Sequence, residues 1–126
     1  MERVEYLVIG VGGFLGANAR YLVATWAAQR FGALFPYGTF IINITGSFIL
    51  GFFLSVLQER TFIHPHYRLF FAVGFLGAYT TFSTFTYESL RLVQEGSLML
   101  GLVNVVGSAV VGLLGAFFGF VLGGLV

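Results

Sequence analysis

The chain has no cysteine, no lysine and no aspartate. Without cysteine, disulfides and thiolate metal sites are excluded and the compartment stays open. His64 and His66 are then the only imidazole ligands. They flank Pro65 in a polar stretch with no carboxylate cluster, which points to a loop or headgroup contact and away from a metal. Charge of either sign is scarce: 9% of the residues are Asp, Glu, Lys or Arg, against about 25% in a soluble domain, while 58% are hydrophobic. That balance identifies an integral membrane protein, with residues 1–126 forming one domain. A net charge of +1 gives no reason to expect nucleic acid.

What is present is four long apolar segments. The first runs from Tyr6 to Gln29 with Arg20 as its one charge, and Gly12, Gly16 and Arg20 share a helical face at spacing i, i+4, i+8. Ala17-Asn18-Ala19 imitates a signal-peptidase site. However, Glu2 and Glu5 cancel the basic start a signal peptide needs, and apolar sequence resumes after Arg20, so cleavage is not expected. A turn at Gly32 and a helix start near Pro36 and Gly38 lead into the second segment, uncharged from Phe31 to Gln58. There Thr39, Asn43 and Ser47 stack along one face, with Gly46 alongside. Gln58 to Arg68 reads as a polar loop. The third segment is uncharged from Leu69 to Tyr87 and is expected to close at Glu88, with Glu95-Gly96 as the turn to the fourth. The fourth carries Gly101, Asn104, Ser108, Gly112, Gly115, Gly119 and Gly123 on one face, a stripe without bulk that lets another helix approach. Each segment reaches the roughly 20 residues that cross a bilayer.

The third segment is the least regular. Gly74, Gly77 and the run Thr80-Thr81-Phe82-Ser83-Thr84-Phe85-Thr86 make a poor helix, because the β-branched threonines are stiff and their hydroxyls compete for backbone hydrogen bonds. Two readings stand: a Thr-rich packing helix, or a helix broken within the bilayer. Irregular backbone at that depth persists only where it is buried in protein or wet. A break near Gly77 and Thr80 frees carbonyls, which are acceptors suited to a cation. Asn43 is open to two readings as well, an interhelical hydrogen bond or an amide NH2 offered to an anion, as is Arg20, which either snorkels or lines a watery vestibule.

No acid sits deep in an apolar segment, which removes a proton-coupled pump. No constellation supports hydrolysis, so the chain is read as a passive pathway or a structural subunit and not as an enzyme. A small anion suits the donors: Asn43, Ser83, Thr84 and Ser108 through N–H and O–H, and Phe82 and Phe85 through the positive rim of their rings. The arginines split almost evenly between the two membrane sides. Arg3, Arg60 and Arg68 lie with the termini, and Arg30 and Arg91, with Arg20, lie opposite. A chain so balanced is able to insert both ways and to meet itself as an antiparallel dimer.

These residues closely resemble the Fluc (CrcB) fluoride channel family. The likeness covers Gly12-x-x-x-Gly16-x-x-x-Arg20-Tyr21, Gly38-Thr39-x-x-x-Asn43-x-x-Gly46-Ser47, and Gly74-Phe75-Leu76-Gly77-x-x-Thr80-Thr81-Phe82-Ser83-Thr84-Phe85-x-x-Glu88. The resemblance implies an all-α fold of four transmembrane helices, the third broken in mid-membrane, in a dual-topology antiparallel homodimer in the plasma (inner) membrane. It implies passive, selective export of fluoride from the cytoplasm. It assigns the fluoride pathway to Asn43, Phe82, Ser83, Thr84, Phe85 and Ser108, with Thr39 on the face of Asn43, Arg20 in the vestibule and Glu88 after the phenylalanine motif. It assigns a structural sodium ion to the backbone carbonyls of Gly77 and Thr80. The chain departs from the family pattern at Asn104 and Gly112, so Asn104 either adds an amide to the polar track or bonds another helix. A small multidrug exporter, the other short four-helix class, needs a carboxylate in its first helix, where this chain has Arg20.

Overall fold

The computed structural model describes residues 2–126, and among them there is no strand. Helix α1 spans Glu2–Phe31 and α2 spans Tyr37–Gln58. The third span is composite: α3 (Pro65–Arg68), a π-helix (Leu69–Leu76), α4 (Gly77–Tyr79) and α5 (Ser83–Gln94). Helix α6 runs from Leu98 to Leu125. Four stretches, Glu2–Phe31, Tyr37–Gln58, Pro65–Gln94 and Leu98–Leu125, are long and apolar enough to cross a membrane, as expected for a multi-pass membrane protein.

Both tight connections turn on glycine. Gly32 (φ 84°) and Gly96 (φ 87°) take the left-handed conformation that ends α1 and α5, a backbone state open to glycine at little cost. At the opposite end, an Arg60 Nη2 donates to the Val126 carbonyl (3.1 Å), which brings the α2–α3 connection beside the C-terminal end of α6.

Two boundaries differ from the sequence expectation. The polar stretch Gln58–Arg68 is not all loop. His64 caps a helix start, its Nδ1 accepting from the His66 N–H (3.1 Å), and Pro65 occupies the first turn, where its missing N–H costs nothing. Glu88 does not close the third span. Helix α5 continues two turns past it to Gln94, burying Ser89 and Leu92 on its inner face and pairing exposed Arg91 with Glu95 at 2.9 Å. A charged residue at the rim of an apolar run marked where the apolar surface ends, not where the helix does.

Two seams hold the bundle: α2 packs along α6, and α1 along the π-helix and α4. The α6 stripe faces inward as its spacing predicts. Gly101, Asn104, Gly112, Gly119 and Gly123 are buried, and Gly119 lies directly over the Phe48 carbonyl of α2. In α1, Gly12 and Gly16 lie over the Phe70 and Phe75 carbonyls, and Arg20, one turn on, reaches Ala78. Between the seams sits a small core of Ile42, Leu76 and Tyr79, with the Tyr79 hydroxyl 2.9 Å from Thr45 Oγ1. Large apolar side chains such as Phe14, Leu22, Leu113 and Phe117 point outward, as lipid-facing surfaces require.

Candidate functional site

The third span loses its helical course at Thr80–Phe82. Helix α4 ends at Tyr79, Thr80 is extended (φ −80°, ψ 157°), and α5 begins at Ser83. Thr80 closes α4 twice over, its N–H (3.0 Å) and its Oγ1 (2.9 Å) both donating to the Leu76 carbonyl. Thr81 opens α5: its Oγ1 accepts from the Thr84 N–H (3.2 Å), satisfying one of the orphan donors of a helix start.

Asn43 holds the break from α2. Its Nδ2 donates to the Thr81 carbonyl (2.9 Å) and its Oδ1 accepts from the Thr81 N–H (2.8 Å), so one amide satisfies both backbone groups of one residue. Of the two readings of Asn43, the interhelical bond is therefore realised. The NH2 group has a second hydrogen, so the amide retains a donor beyond the clamp. The approach of α2 at this point depends on Gly46, since a Cβ there would overlap Thr80 and stand 3.3 Å from the Tyr79 ring. From the other side, Arg20 Nε donates to the Ala78 carbonyl (3.0 Å), setting a cation at the C-terminal, partially negative end of α4.

Several backbone groups at the break stay open. Among the described residues, no hydrogen bond reaches the carbonyls of Gly77, Tyr79 and Thr80 or engages the N–H groups of Phe82, Ser83 and Phe85. Along the chain, the open acceptors thus lie at Gly77–Thr80 and the open donors follow at Phe82–Phe85. Gly77 itself remains helical, and its carbonyl is free because Thr81, four residues on, gives its N–H to Asn43 instead.

An open groove of about 680 Å³ collects much of the expected site. Asn43, Gly77, Thr80, Phe82, Phe85 and Ser108 line it, together with Ser47 and Thr81. The Phe82 and Phe85 rings stand 6.0 Å apart at 53°. Thr39 and Glu88 lie elsewhere, in a second cavity of about 260 Å³ bounded by the α1–α2 connection and α5, where Glu88 Oε1 is buried without a hydrogen-bond partner among the described residues. Thr39 is one turn before Asn43 on α2, so one polar helix face runs from this cavity to the groove. Ser83, Thr84 and Arg20 line neither space. Ser83 is exposed, its carbonyl accepting from Thr86 Oγ1 (3.0 Å), and Thr84 is half-buried.

The second open reading also resolves toward helix contact. Asn104, only 1% exposed, donates from Nδ2 to Ser89 Oγ (2.8 Å), and Ser89 Oγ donates to the Phe85 carbonyl (2.8 Å). Ser108 Oγ donates to Asn104 Oδ1 at 3.4 Å, which extends the chain of polar contacts from the groove wall to the backbone of Phe85. The sequence names Thr81 only as part of the irregular run and gives Ser89 no part, yet these two residues tie Asn43 and Asn104 to the third span. A threonine three residues before Thr84, at the edge of a helix start, is a recognisable capping signal. Ser89 offered none beyond its place on the inner face of α5.

Known proteins share this sequence over nearly its whole length. A family model described as CrcB-like protein, Camphor Resistance (CrcB), matches residues 7–120. Several curated relatives carry the name fluoride-specific ion channel FluC, three of them as follows. The one from Solibacter usitatus is 45% identical over 119 residues, covering 94% of this chain and 98% of the relative. The one from Sulfurihydrogenibium sp. is 48% identical over 118 residues, covering 94% and 95%. The one from Acidobacterium capsulatum is 46% identical over 120 residues, covering 95% and 96%. With that match over all four spans, the chain belongs to the CrcB (FluC) family, a family of ion channels and not of enzymes.

Proposed function

We propose that this chain forms a passive fluoride channel that lets fluoride leave the cytoplasm and so lowers its toxicity. The observation that carries the reading is that open carbonyls at Gly77–Thr80 are followed along the chain by open N–H groups and ring edges at Phe82–Phe85, beside one groove that Asn43 and Ser108 also line. The relatives' shared name supplies the ion. Stripping a small anion of water costs tens of kcal/mol if nothing replaces the shell, so several weak donors must act together. The remaining hydrogen of the Asn43 amide and the edges of Phe82 and Phe85 border the groove, as does the Ser108 hydroxyl, which would turn from its long 3.4 Å bond to Asn104 to donate to the anion. None carries a full charge, so the anion is held without being trapped. Ser83 and Thr84 extend the donor set beyond the groove, Thr39 and Glu88 continue the path along α2 and α5, and Arg20 raises the positive potential at the vestibule.

The working unit in this reading is a dual-topology antiparallel homodimer in the plasma (inner) membrane, with fluoride and the lipid bilayer as its other partners. The even distribution of arginine supports it. A structural sodium ion fits the acceptor side. Carbonyl oxygens are hard ligands, and those of Gly77 and Thr80 receive no hydrogen bond from the described residues. Bound there, sodium supplies the positive charge that otherwise unpaired carbonyls lack. The chain's own part is to hold Thr80 extended, through the double bond to Leu76 on one side and the Asn43 clamp on the next residue.

Purified protein in fluoride-loaded liposomes, followed with a fluoride electrode, tests the reading. Passive efflux well above that of protein-free vesicles is expected, without a proton gradient. Efflux equal to empty vesicles ends the proposal. Tagging both termini in cells tests the topology separately, since a single orientation removes the antiparallel dimer.

A further inference from the structure

A π-helix closes its hydrogen bonds five residues apart where an α-helix closes them four apart, so it takes an extra residue into the turn. The π-helix Leu69–Leu76 stands one short helix, α4, before the break, and its bonding carries through its end, with the Gly77 N–H donating to the Ala72 carbonyl. Taking up one residue rotates everything downstream by about 100° relative to an uninterrupted α-helix. Which face of Thr80–Phe82 meets α2 therefore depends on this segment being π and not α.

Helix α1 is shaped to seat that wider turn. The Phe70 carbonyl and the Phe75 N–H stand one π hydrogen-bond step apart, and both lie against Gly12. A Cβ on Gly12 would overlap the carbonyl oxygen and approach the Phe75 nitrogen to 3.1 Å. The fit is reciprocal: a Cβ on Gly74 would stand 2.7 Å from the Ile9 carbonyl and 3.1 Å from the Gly12 Cα. All of these neighbours are backbone atoms, so a methyl group has no flexible side chain to displace.

We infer that Gly12 and Gly74 are positioning residues. They hold Leu69–Leu76 in its π form and thereby set the register in which Thr81 meets Asn43 and Phe82 borders the groove. The consequence for conduction rests on the fluoride reading, whereas the register itself does not.

The test uses the full chain in lipid nanodiscs and liposomes, with two readouts: hydrogen exchange at the Thr81 amide, which Asn43 protects, and fluoride efflux. Gly12→Ala speeds Thr81 exchange by about tenfold or more and lowers efflux in parallel. Gly51→Ala, whose Cβ would press on the Ala116 carbonyl in the α2–α6 seam, leaves Thr81 protection unchanged. Deleting Val73 from the Gly12→Ala chain lets the segment run as α with both ends in register, and both readouts recover. Unchanged Thr81 protection in Gly12→Ala overturns the inference. So does equal loosening by Gly12→Ala and Gly51→Ala, or failure of the deletion to restore Thr81. Should Gly12→Ala fail to fold, Gly74→Ala decides, since its methyl would press on the Ile9 carbonyl from the other side: faster Thr81 exchange supports the inference, and unchanged Thr81 protection overturns it. Absent efflux from the parent chain, with the expected Thr81 pattern, counts against the fluoride reading alone.

Discussion

The two seams of the bundle use the same material for different ends. Along α2–α6, glycines let two unbroken helices touch backbone to backbone, Gly119 on Phe48 and Gly51 on Ala116. The polar side chains buried on these helices, Thr39, Ser55 and Asn104, interrupt neither one. Along α1, Gly12 and Gly16 do the same against the π-helix, but the row ends in Arg20 and in a partner whose helix stops at Tyr79, one residue past Ala78. Close packing in the first seam yields a wall. In the second it supports a break, with carbonyls left open before it along the chain and N–H groups left open after it. Small residues alone therefore do not mark a site. The site lies where the seated backbone has groups that no helix satisfies.

Substitutions can separate the two seams. The largest effect is expected at Asn43. Asn43→Ala removes both bonds to Thr81 and leaves its N–H and carbonyl unpaired, about 1–3 kcal/mol for each buried group. Fluoride efflux should fall by about a hundredfold or more. Asn43→Asp keeps an acceptor for the Thr81 N–H but faces the Thr81 carbonyl with a carboxylate, and if it leaves efflux untouched, the role of Asn43 toward the anion is wrong. Next comes Phe82→Ile, which keeps bulk and removes the ring edge, so efflux should drop about tenfold while the fold persists. The α2–α6 seam should behave in the opposite way. Gly119→Ala sets a methyl against the Phe48 carbonyl and should destabilise the protein by about 1–3 kcal/mol in a thermal melt, with efflux per folded protein unchanged. The smallest effect is expected at Asn104→Ala. It breaks the bond to Ser89 but sits behind Phe85, costing about 1 kcal/mol in stability and a few-fold in efflux.

Much of this arrangement was legible in the chain. The four spans, the glycine turns at Gly32 and Gly96 and the inward stripe of α6 follow from hydropathy and period. The irregularity of Thr80–Phe82 follows from β-branched residues and hydroxyls in an apolar run. What stayed hidden has physical reasons. The π-helix has no composition of its own: Leu69–Leu76 is as apolar as an α-helical span, and the form depends on the glycines of α1 opposite. The end of α5 was read too early because Glu88 marks the limit of the apolar run, whereas the helix continues on an inner face of Ser89 and Leu92. The start of the span was read too late because His64 and Pro65 look like a loop, although together they cap and begin a helix. Asn43 and Asn104 each had two open readings, since a sequence shows that an amide is present but not which backbone it meets.

The central claim is that the groups left open at Thr80–Phe82 pass fluoride. Its most direct test is the initial rate of fluoride efflux from liposomes holding the parent chain, the Phe82→Ile chain, or no protein. Rapid passive efflux is expected with the parent and a rate about tenfold lower with Phe82→Ile, in vesicles that contain equal folded protein. Equal rates for the two chains would contradict the role given to the ring edge, and a parent rate no faster than empty vesicles would contradict the account itself.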